Sequence, residues 1–379
     1  MNKKINILFV MLQMKAGGAE KVIFETISAL DREKYSPSIA WFKDHDLVDD
    51  FSKITTSMHF IPKIKRFDIK TITQLARVIK LTNANIVNAH HFMPLFYSYF
   101  GYLISKKVKL IYTEHSAWEV TTGSNIWDLI KKYILKNSDA IIGVSDEIST
   151  KLINKYQLNA NKVYTITNGV NINNYTNTKQ YNIDVDFPPN AIKIVMVANF
   201  RKNKNHVFMI KAFSELYHKN NNVHLIFIGQ GFIGDPENSE NEIHKALNEF
   251  NISRNVSILG YRPNVNELIS MMDIACLCSD KEGLPMSLIE AMAAGLPIVG
   301  TNVEGIRDVI IDNYNGYLIN KGDSLSFSHY LNILSSDQEL RKLFGKRSRE
   351  IVINRYNIEK SARSFEELLT KLSHGNKGN

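Results

Sequence analysis

Cysteine is almost missing from this chain, which has only Cys276 and Cys278 in 379 residues. They stand too close on a strand-like segment to pair with each other, so a disulfide scaffold and a cysteine metal cluster are excluded and a reducing compartment is indicated. Long apolar runs are missing too, since no stretch approaches the roughly 18 residues of a bilayer-spanning helix. The start, MNKKINILFVMLQMKAGGAE, has the lysines and apolar run of a signal peptide. It reads better as a first strand followed by a Gly-Gly turn and a helical pattern. Acid is scarce in one half only. Residues 1–180 carry 24 Lys and Arg against 15 Asp and Glu, whereas residues 181–379 carry 22 against 23. The net charge of +8 therefore belongs to the first half and implies an anionic partner, either nucleic acid or a lipid headgroup layer.

What is present is ordinary for a soluble globular enzyme: 44% hydrophobic and 22% charged residues. The length exceeds what one core usually supports, so two domains are expected. Strand-like and helical segments alternate almost without a break. INILFVML leads into a helix near Gly18 to Leu30, and SIAWF follows. NIVNAH leads into an aromatic helix near Pro94 to Ile104, and KLIYTEH, DAIIGVS and KVYTITNGV come next. After a polar, Asn-rich stretch at 171–190, read as a linker, the alternation restarts with IKIVMVANF, VHLIFIG, VSILGY, IACLC, PIVGT and GYLI. Such alternation predicts an α/β chain with two Rossmann-like parallel sheets. An amphipathic helix over Ser361 to Leu372 precedes a polar tail.

Several motifs invite a chemical reading. GQGFIG has the GxGxxG spacing of Gly229, Gly231 and Gly234, but Pro236 and acids follow where a helix should open, so a dinucleotide loop is disfavoured. The acid pairs of DHD, Asp44 to Asp46, and DVD, Asp184 to Asp186, have no third ligand in sight and read as solvated loops, so no metal site is expected. Gly17 and Gly18 follow the first strand and open a helix. They form either a close approach for an anion or a plain turn. Arg201 and Lys204, in ANFRKNKNH, follow the first strand of the second half, where open α/β sheets bind ligands; a solvated basic loop is the other reading. In EGLPMSLIEAMAAGLPIVGT, Glu290 interrupts an almost wholly apolar helix, and Glu282 stands eight residues earlier beside Gly283, Leu284 and Pro285. A carboxylate among Leu288, Ile289 and Met292 costs several kcal/mol unless it is hydrogen-bonded, and a ribose diol would do this. A proline at the first helical position would start that helix.

These residues, with GGAE, VSDEIS and NGV, resemble the family-4 retaining glycosyltransferases of the GT-B fold over nearly the whole chain. The resemblance implies two Rossmann-like domains facing a central cleft: an acceptor-binding domain at 1–170, a linker at 171–190 and a nucleotide-sugar domain at 191–355. The segment 356–379 would be a C-terminal helix packing back on the first domain, and a tail. It also implies residue roles. Glu290 binds the ribose, Glu282 contacts the donor sugar, Arg201 and Lys204 neutralise the diphosphate, Gly17 and Gly18 approach the donor, and His115, in TEH, faces the sugar. Asp308 departs from the Glu common after the EGI turn, which leaves its role open.

The expected activity is transfer of a hexose from a nucleotide diphosphate sugar, UDP by family habit, to a lipid-linked saccharide of capsule or O-antigen assembly. The reaction would need neither metal nor cofactor. Alternatives are a sugar-nucleotide epimerase of the same fold and a nucleic-acid-binding protein, although no nucleic-acid motif accompanies the charge. The protein is expected in the cytoplasm, leaning on the anionic inner membrane face through Lys63, Lys65, Arg66, Lys70, Lys106, Lys107 and Lys109. Phe92, Phe96, Tyr97, Tyr99, Phe100 and Tyr102 would serve as an interfacial anchor, or else as core.

Overall fold

The computed structural model describes residues 4–15, 17–63, 68–105, 108–116, 120, 125–175, 190–232 and 234–374. Two compact units divide the chain: Met1–Gly169 together with Ile358–Asn379, and Val170–Asn357. Most of the expected linker, 176–189, lies outside the described residues, as do Asp184 to Asp186.

In the first unit, β1 (Ile5–Gln13), β2 (Tyr35–Lys43), β3 (Ser57–Phe60), β4 (Ile86–His90), β5 (Lys109–Glu114), β6 (Ala140–Gly143) and β7 (Val163–Thr165) form a sheet ordered β3-β2-β1-β4-β5-β6-β7. Every pairing is parallel. Helices cover both faces of such a sheet, which is why Leu8, Phe9 and Val10 in succession are all buried. The last helix, Ile358–His374, returns to this unit and sets Phe365, Leu368 and Leu369 into the core with Ile7, Phe9 and Ile39.

The second unit holds β8 (Ile192–Val197), β9 (Val223–Ile228), β10 (Val256–Ile258), β11 (Ile274–Leu277), β12 (Ile298–Thr301) and β13 (Gly316–Ile319), ordered β10-β9-β8-β11-β12-β13 and parallel throughout. The order reverses between β8 and β11. In an open α/β sheet, ligands bind at the carboxyl ends of the strands flanking that reversal. The two cysteines are free and buried, on β11 and just after it.

Three details differ from the sequence reading. The edge strand β3, SMHF, was not anticipated, because its polar residues give no apolar run. The glutamate-bearing helix is Met286–Ala293, and Pro285 caps it from outside with an extended ψ of 90° instead of occupying its first turn. The aromatic helix, Phe92–Ser105, gives half of its expected anchor to the core, while Phe92, Phe100 and Tyr102 are half-buried. Phe96, Tyr97 and Tyr99 are buried, Tyr97 packs on Phe42 with ring centres 5.5 Å apart, and Phe92 meets Trp127 at 6.2 Å. Lys63 lies over the Tyr97 ring, whereas Lys65, Arg66, Lys106 and Lys107 fall outside the described residues.

Candidate active site

Three of the expected residues, Arg201, Lys204 and Glu282, come together at the carboxyl ends of β8 and β11. After β8 the chain runs into a short 3-10 turn, Lys202–Lys204, ended by Asn205 in the left-handed region at φ 54°. This tight turn is tied to the segment after β11: Asn205 Nδ2 donates to the Cys278 carbonyl at 3.2 Å, and the Asp280 N–H donates to the Asn203 carbonyl at 2.8 Å. The tie brings Lys204 Nζ to 2.5 Å from Glu282 Oε1, which also accepts from Ser279 Oγ at 2.5 Å. Arg201, at the mouth of the turn, pairs through Nε with Asp235 at 3.1 Å and is 45% exposed on its side chain.

Glu282 leads through Gly283, Leu284 and Pro285 into the helix Met286–Ala293, whose Leu288, Ile289, Ala291 and Met292 are all buried. Glu290 is buried among them, one of three buried acids, with Glu20 and Glu114, among the described residues. Gly305, at the EGI turn, has φ 78°, and a Cβ there would come within 2.6 Å of the Gly283 carbonyl. The turn can therefore lie directly on the Glu282–Gly283 backbone only because residue 305 lacks a side chain. Asp308 lies on the short helix Ile306–Val309 that follows, and its carbonyl accepts from Tyr356. Next in sequence to Lys204, beyond Asn205, His206 opens the helix His206–Tyr217 wedged between Phe200 and Phe227. Burial first, and then the Lys204 charge, push its pKa down to about 3.

Gly17, Gly18 and His115 belong to the first unit. Gly17 caps the helix Gly18–Ala29 in an extended conformation, and the space a side chain there would need is taken by the buried Glu20 carboxylate. Burial raises the Glu20 carboxyl above the ordinary range. His115 follows β5 and turns inward: its Nε2 lies 2.8 Å from His90 Nδ1, and its Nδ1 is buried. Burial lowers both imidazoles well below the usual histidine range, with neighbouring histidines adding to the effect. Beside them Glu114 is wholly enclosed, bonded to Tyr112 and to Lys131 Nζ at 2.9 Å, and it accepts from the Ser116 N–H at 3.2 Å. Sequence reasoning passed over Asp235, Ser279, Glu20, His90 and Lys131. Ser279, inside the glutamate motif, and Glu20, inside GGAE, carried a local signal. Among the described residues, no group of three or more His, Cys, Asp or Glu side chains is arranged to hold a metal ion.

Two parallel-sheet Rossmann-like units, one with cations and carboxylates at its ligand end, define the GT-B architecture. The group 1 glycosyl transferase model matches residues 178–351 and the Glycosyltransferase Family 4 model matches residues 16–174. The chain thus belongs to the family-4 glycosyltransferases, which are retaining and metal-independent enzymes. Its relatives include the N-acetyl-alpha-D-glucosaminyl L-malate synthase of Bacillus anthracis, 26% identical over 84% of this chain and 83% of that one. Another is the UDP-Gal:alpha-D-GlcNAc-diphosphoundecaprenol alpha-1,3-galactosyltransferase of Escherichia coli, 21% identical over 97% of each. A glycosyltransferase from Rickettsia africae shares the fold at a TM-score of 0.84 and 20% identity, over 98% of this chain and 100% of that one. Anabaena HepE, solved in complex with UDP-glucose, does so at 0.83 and 17%, over 97% and 100%.

Proposed function

We propose that this enzyme transfers a hexose from a UDP-sugar to a lipid-linked saccharide in the synthesis of a cell-surface polysaccharide. The observation that carries the reading is the joining of Lys204 to Glu282 at the sheet reversal, with Glu290 enclosed in the helix that follows. As the bond from the anomeric carbon to the phosphate oxygen breaks, negative charge grows on the leaving diphosphate. Arg201 and Lys204 oppose that charge where it develops, an electrostatic contribution that is often the largest single one in catalysis. Lys204 exchanges its bond to Glu282 for one to the diphosphate, which frees Glu282 for the donor sugar. The N–H groups of Gly283 and Leu284 lie beside it, and Pro285 has none to offer. Glu290 accepts from the ribose hydroxyls. Gly17 and Gly18 approach the donor, and His115 faces a sugar hydroxyl while its Nε2 stays bonded to His90. The acceptor hydroxyl attacks from the face the diphosphate leaves and passes its proton to that phosphate.

The names of the E. coli relative and of the HepE complex support a UDP donor, and the former supports a lipid diphosphate acceptor. Among the described residues, no helix is long and apolar enough to cross a membrane. A peripheral site on the cytoplasmic membrane face is supported by the outer side of the helix Asn125–Asn137, where Ile126, Leu129 and Tyr133 are 65%, 66% and 62% exposed beside Lys132 and Lys136. Leu103 and Ile104 are exposed on the helix Phe92–Ser105.

A thermal-shift panel of nucleotide sugars tests the donor. A ligand at 100 times its dissociation constant adds about 2.7 kcal/mol to stability. In Glu290→Gln the true donor should lose roughly 1.5–3 kcal/mol of binding, or on the order of ten- to a hundredfold in affinity. A panel without a responder, or a Glu290→Gln protein that binds nucleotide as tightly as the parent, would refute the assignment.

A further inference from the structure

The glycine-rich segment after β9, GQGFIGDPENSE, has the spacing of a nucleotide loop, yet the structure uses it as a bracket for the basic turn after β8. Phe200 N–H donates to the Gln230 carbonyl at 3.0 Å, Lys202 N–H to the Glu237 carbonyl at 2.9 Å, and Ser239 N–H to the Phe200 carbonyl at 2.9 Å. Arg201 and Asn238 form an antiparallel bridge. Gly231 is needed here for space, because the Asn238 side chain lies where a Cβ would stand. The segment thereby delivers one acid to one cation.

That acid is Asp235. Its two carboxylate oxygens have separate tasks: Oδ1 accepts from the Glu237 N–H at 3.0 Å and closes the turn, whereas Oδ2 lies 3.1 Å from Arg201 Nε. A guanidinium is a planar fork, so a partner held on the Nε edge sets the plane of the group and leaves the two terminal amino groups to grip a phosphate bidentately. Asp235 is mostly enclosed, with 19% of its side chain exposed, while Arg201 is nearly half exposed. The anchored partner is therefore the acid and the presented one is the arginine.

We propose that Asp235 is a positioning residue for Arg201, fixing the plane in which its terminal amino groups meet the departing diphosphate. The inference rests on the reading of Arg201 as a diphosphate ligand and adds the residue that orients it. Because the misplacement matters most where charge is greatest, in the transition state, turnover suffers more than donor binding. Asp235→Asn retains an oxygen for the Glu237 N–H and loses the ion pair, whereas Asp235→Ala loses both.

The test is a double-mutant cycle on kcat and donor KM. Asp235→Ala should lower kcat about tenfold and Asp235→Asn about three- to tenfold, with donor KM within about twofold in each; a factor of ten corresponds to about 1.4 kcal/mol. In an Arg201→Lys background, which has no Nε edge to hold, Asp235→Ala should change kcat by less than about twofold. Two results overturn the proposal: full tenfold loss in the lysine background, which would place the effect in the turn itself, or an Asp235→Ala enzyme with tighter donor binding and undiminished kcat, which would make Asp235 a competitor of the phosphate. An Arg201→Lys enzyme as active as the parent refutes the role of Arg201 as well. An impaired Arg201→Lys enzyme beside a fully active Asp235→Ala enzyme refutes only the positioning role.

Discussion

The two units wind their sheets alike, from an edge inward to a first strand and out again beyond the reversal, and they treat charge in opposite ways at the carboxyl ends of their central strands. In the second, ion pairs lie where a ligand can reach them: Lys204 with Glu282, Arg201 with Asp235, and Lys321 with Asp280 at 2.5 Å. In the first, the comparable groups are sealed in. Glu114 is bonded to Lys131, which lies over the rings of Phe92, Tyr112 and Tyr156, and His90 is stacked on Phe9 and bonded to His115. A pair that stays partly wet can trade one partner for a phosphate at small cost. A dry pair cannot, so it serves to hold a loop, here the segment that carries His115 and Ser116.

The sharpest way to break this contrast is to remove one half of the dry pair. Lys131→Met leaves the Glu114 charge enclosed and should destabilise the first unit by roughly 3–5 kcal/mol. In chemical denaturation the double variant Lys131→Met with Glu114→Gln should recover part of that loss. Equal stability of the single variant and the parent would show the pair to be wetter than its burial implies.

The partly buried pair Lys204–Glu282 should show the opposite profile. Lys204→Ala is expected to leave the melting temperature within a few degrees and to cut turnover by about 10²- to 10³-fold, as for other donors aimed at a developing negative charge. Initial rates with and without a chelator check the other half of the expectation, that EDTA changes nothing. Activity restored only by added divalent metal would contradict it.

Acid acts on both units in the same direction. His206 has a folded pKa near 3, against the usual value of about 6.5 in the unfolded chain. Below pH 6.5 the unfolded state binds a proton that the folded state refuses, so stability is lost as pH falls toward the folded value. By pH 5 this amounts to about 2 kcal/mol from His206 alone. Denaturation curves at pH 7.5 and pH 5 should show that loss, and His206→Leu should remove about that much of the pH dependence. His90 and His115, lowered in the same direction, keep a residual slope in the variant.

The smallest effect concerns the outer side of the helix Asn125–Asn137. Flotation with anionic and neutral vesicles over a salt series should show retention on the anionic ones alone, with about 1 kcal/mol lost per basic residue neutralised at Lys132 and Lys136. Leu129→Ser with Tyr133→Ser should also release it. Absence from both vesicle types would contradict the membrane site and favour a soluble acceptor.

Much of the fold could be read from the sequence because strands covered on both faces are uninterrupted apolar runs, as in INILFVML and VHLIFI. Glu282 and Glu290 stood out for a related reason: an acid inside an apolar helix is a conflict visible within ten residues. Arg201 and Lys204 were legible only by their place after a strand. Their partners were not. Lys204 meets Glu282 across 78 positions and Lys131 meets Glu114 across 17, neither with a helical or strand period to announce it. Asp235 was hidden in a glycine-rich segment whose spacing suggests a different ligand. The aromatics of Phe92–Ser105 were read two ways because an apolar helix face looks the same whether it meets a sheet or a lipid.

The return of Ile358–His374 to the first unit makes the second unit an insertion within it. During synthesis the ribosome releases β1 to β7 long before the helix that lays Phe365 against Phe9, 6.1 Å away. At ~5–20 residues per second, the segment Val170–Asn357 occupies roughly 10–40 s of translation. Through that interval Ile23 and Ile27 cover part of the core around β1, and the part filled by Phe365, Leu368 and Leu369 stays open until the helix Ile358–His374 is made.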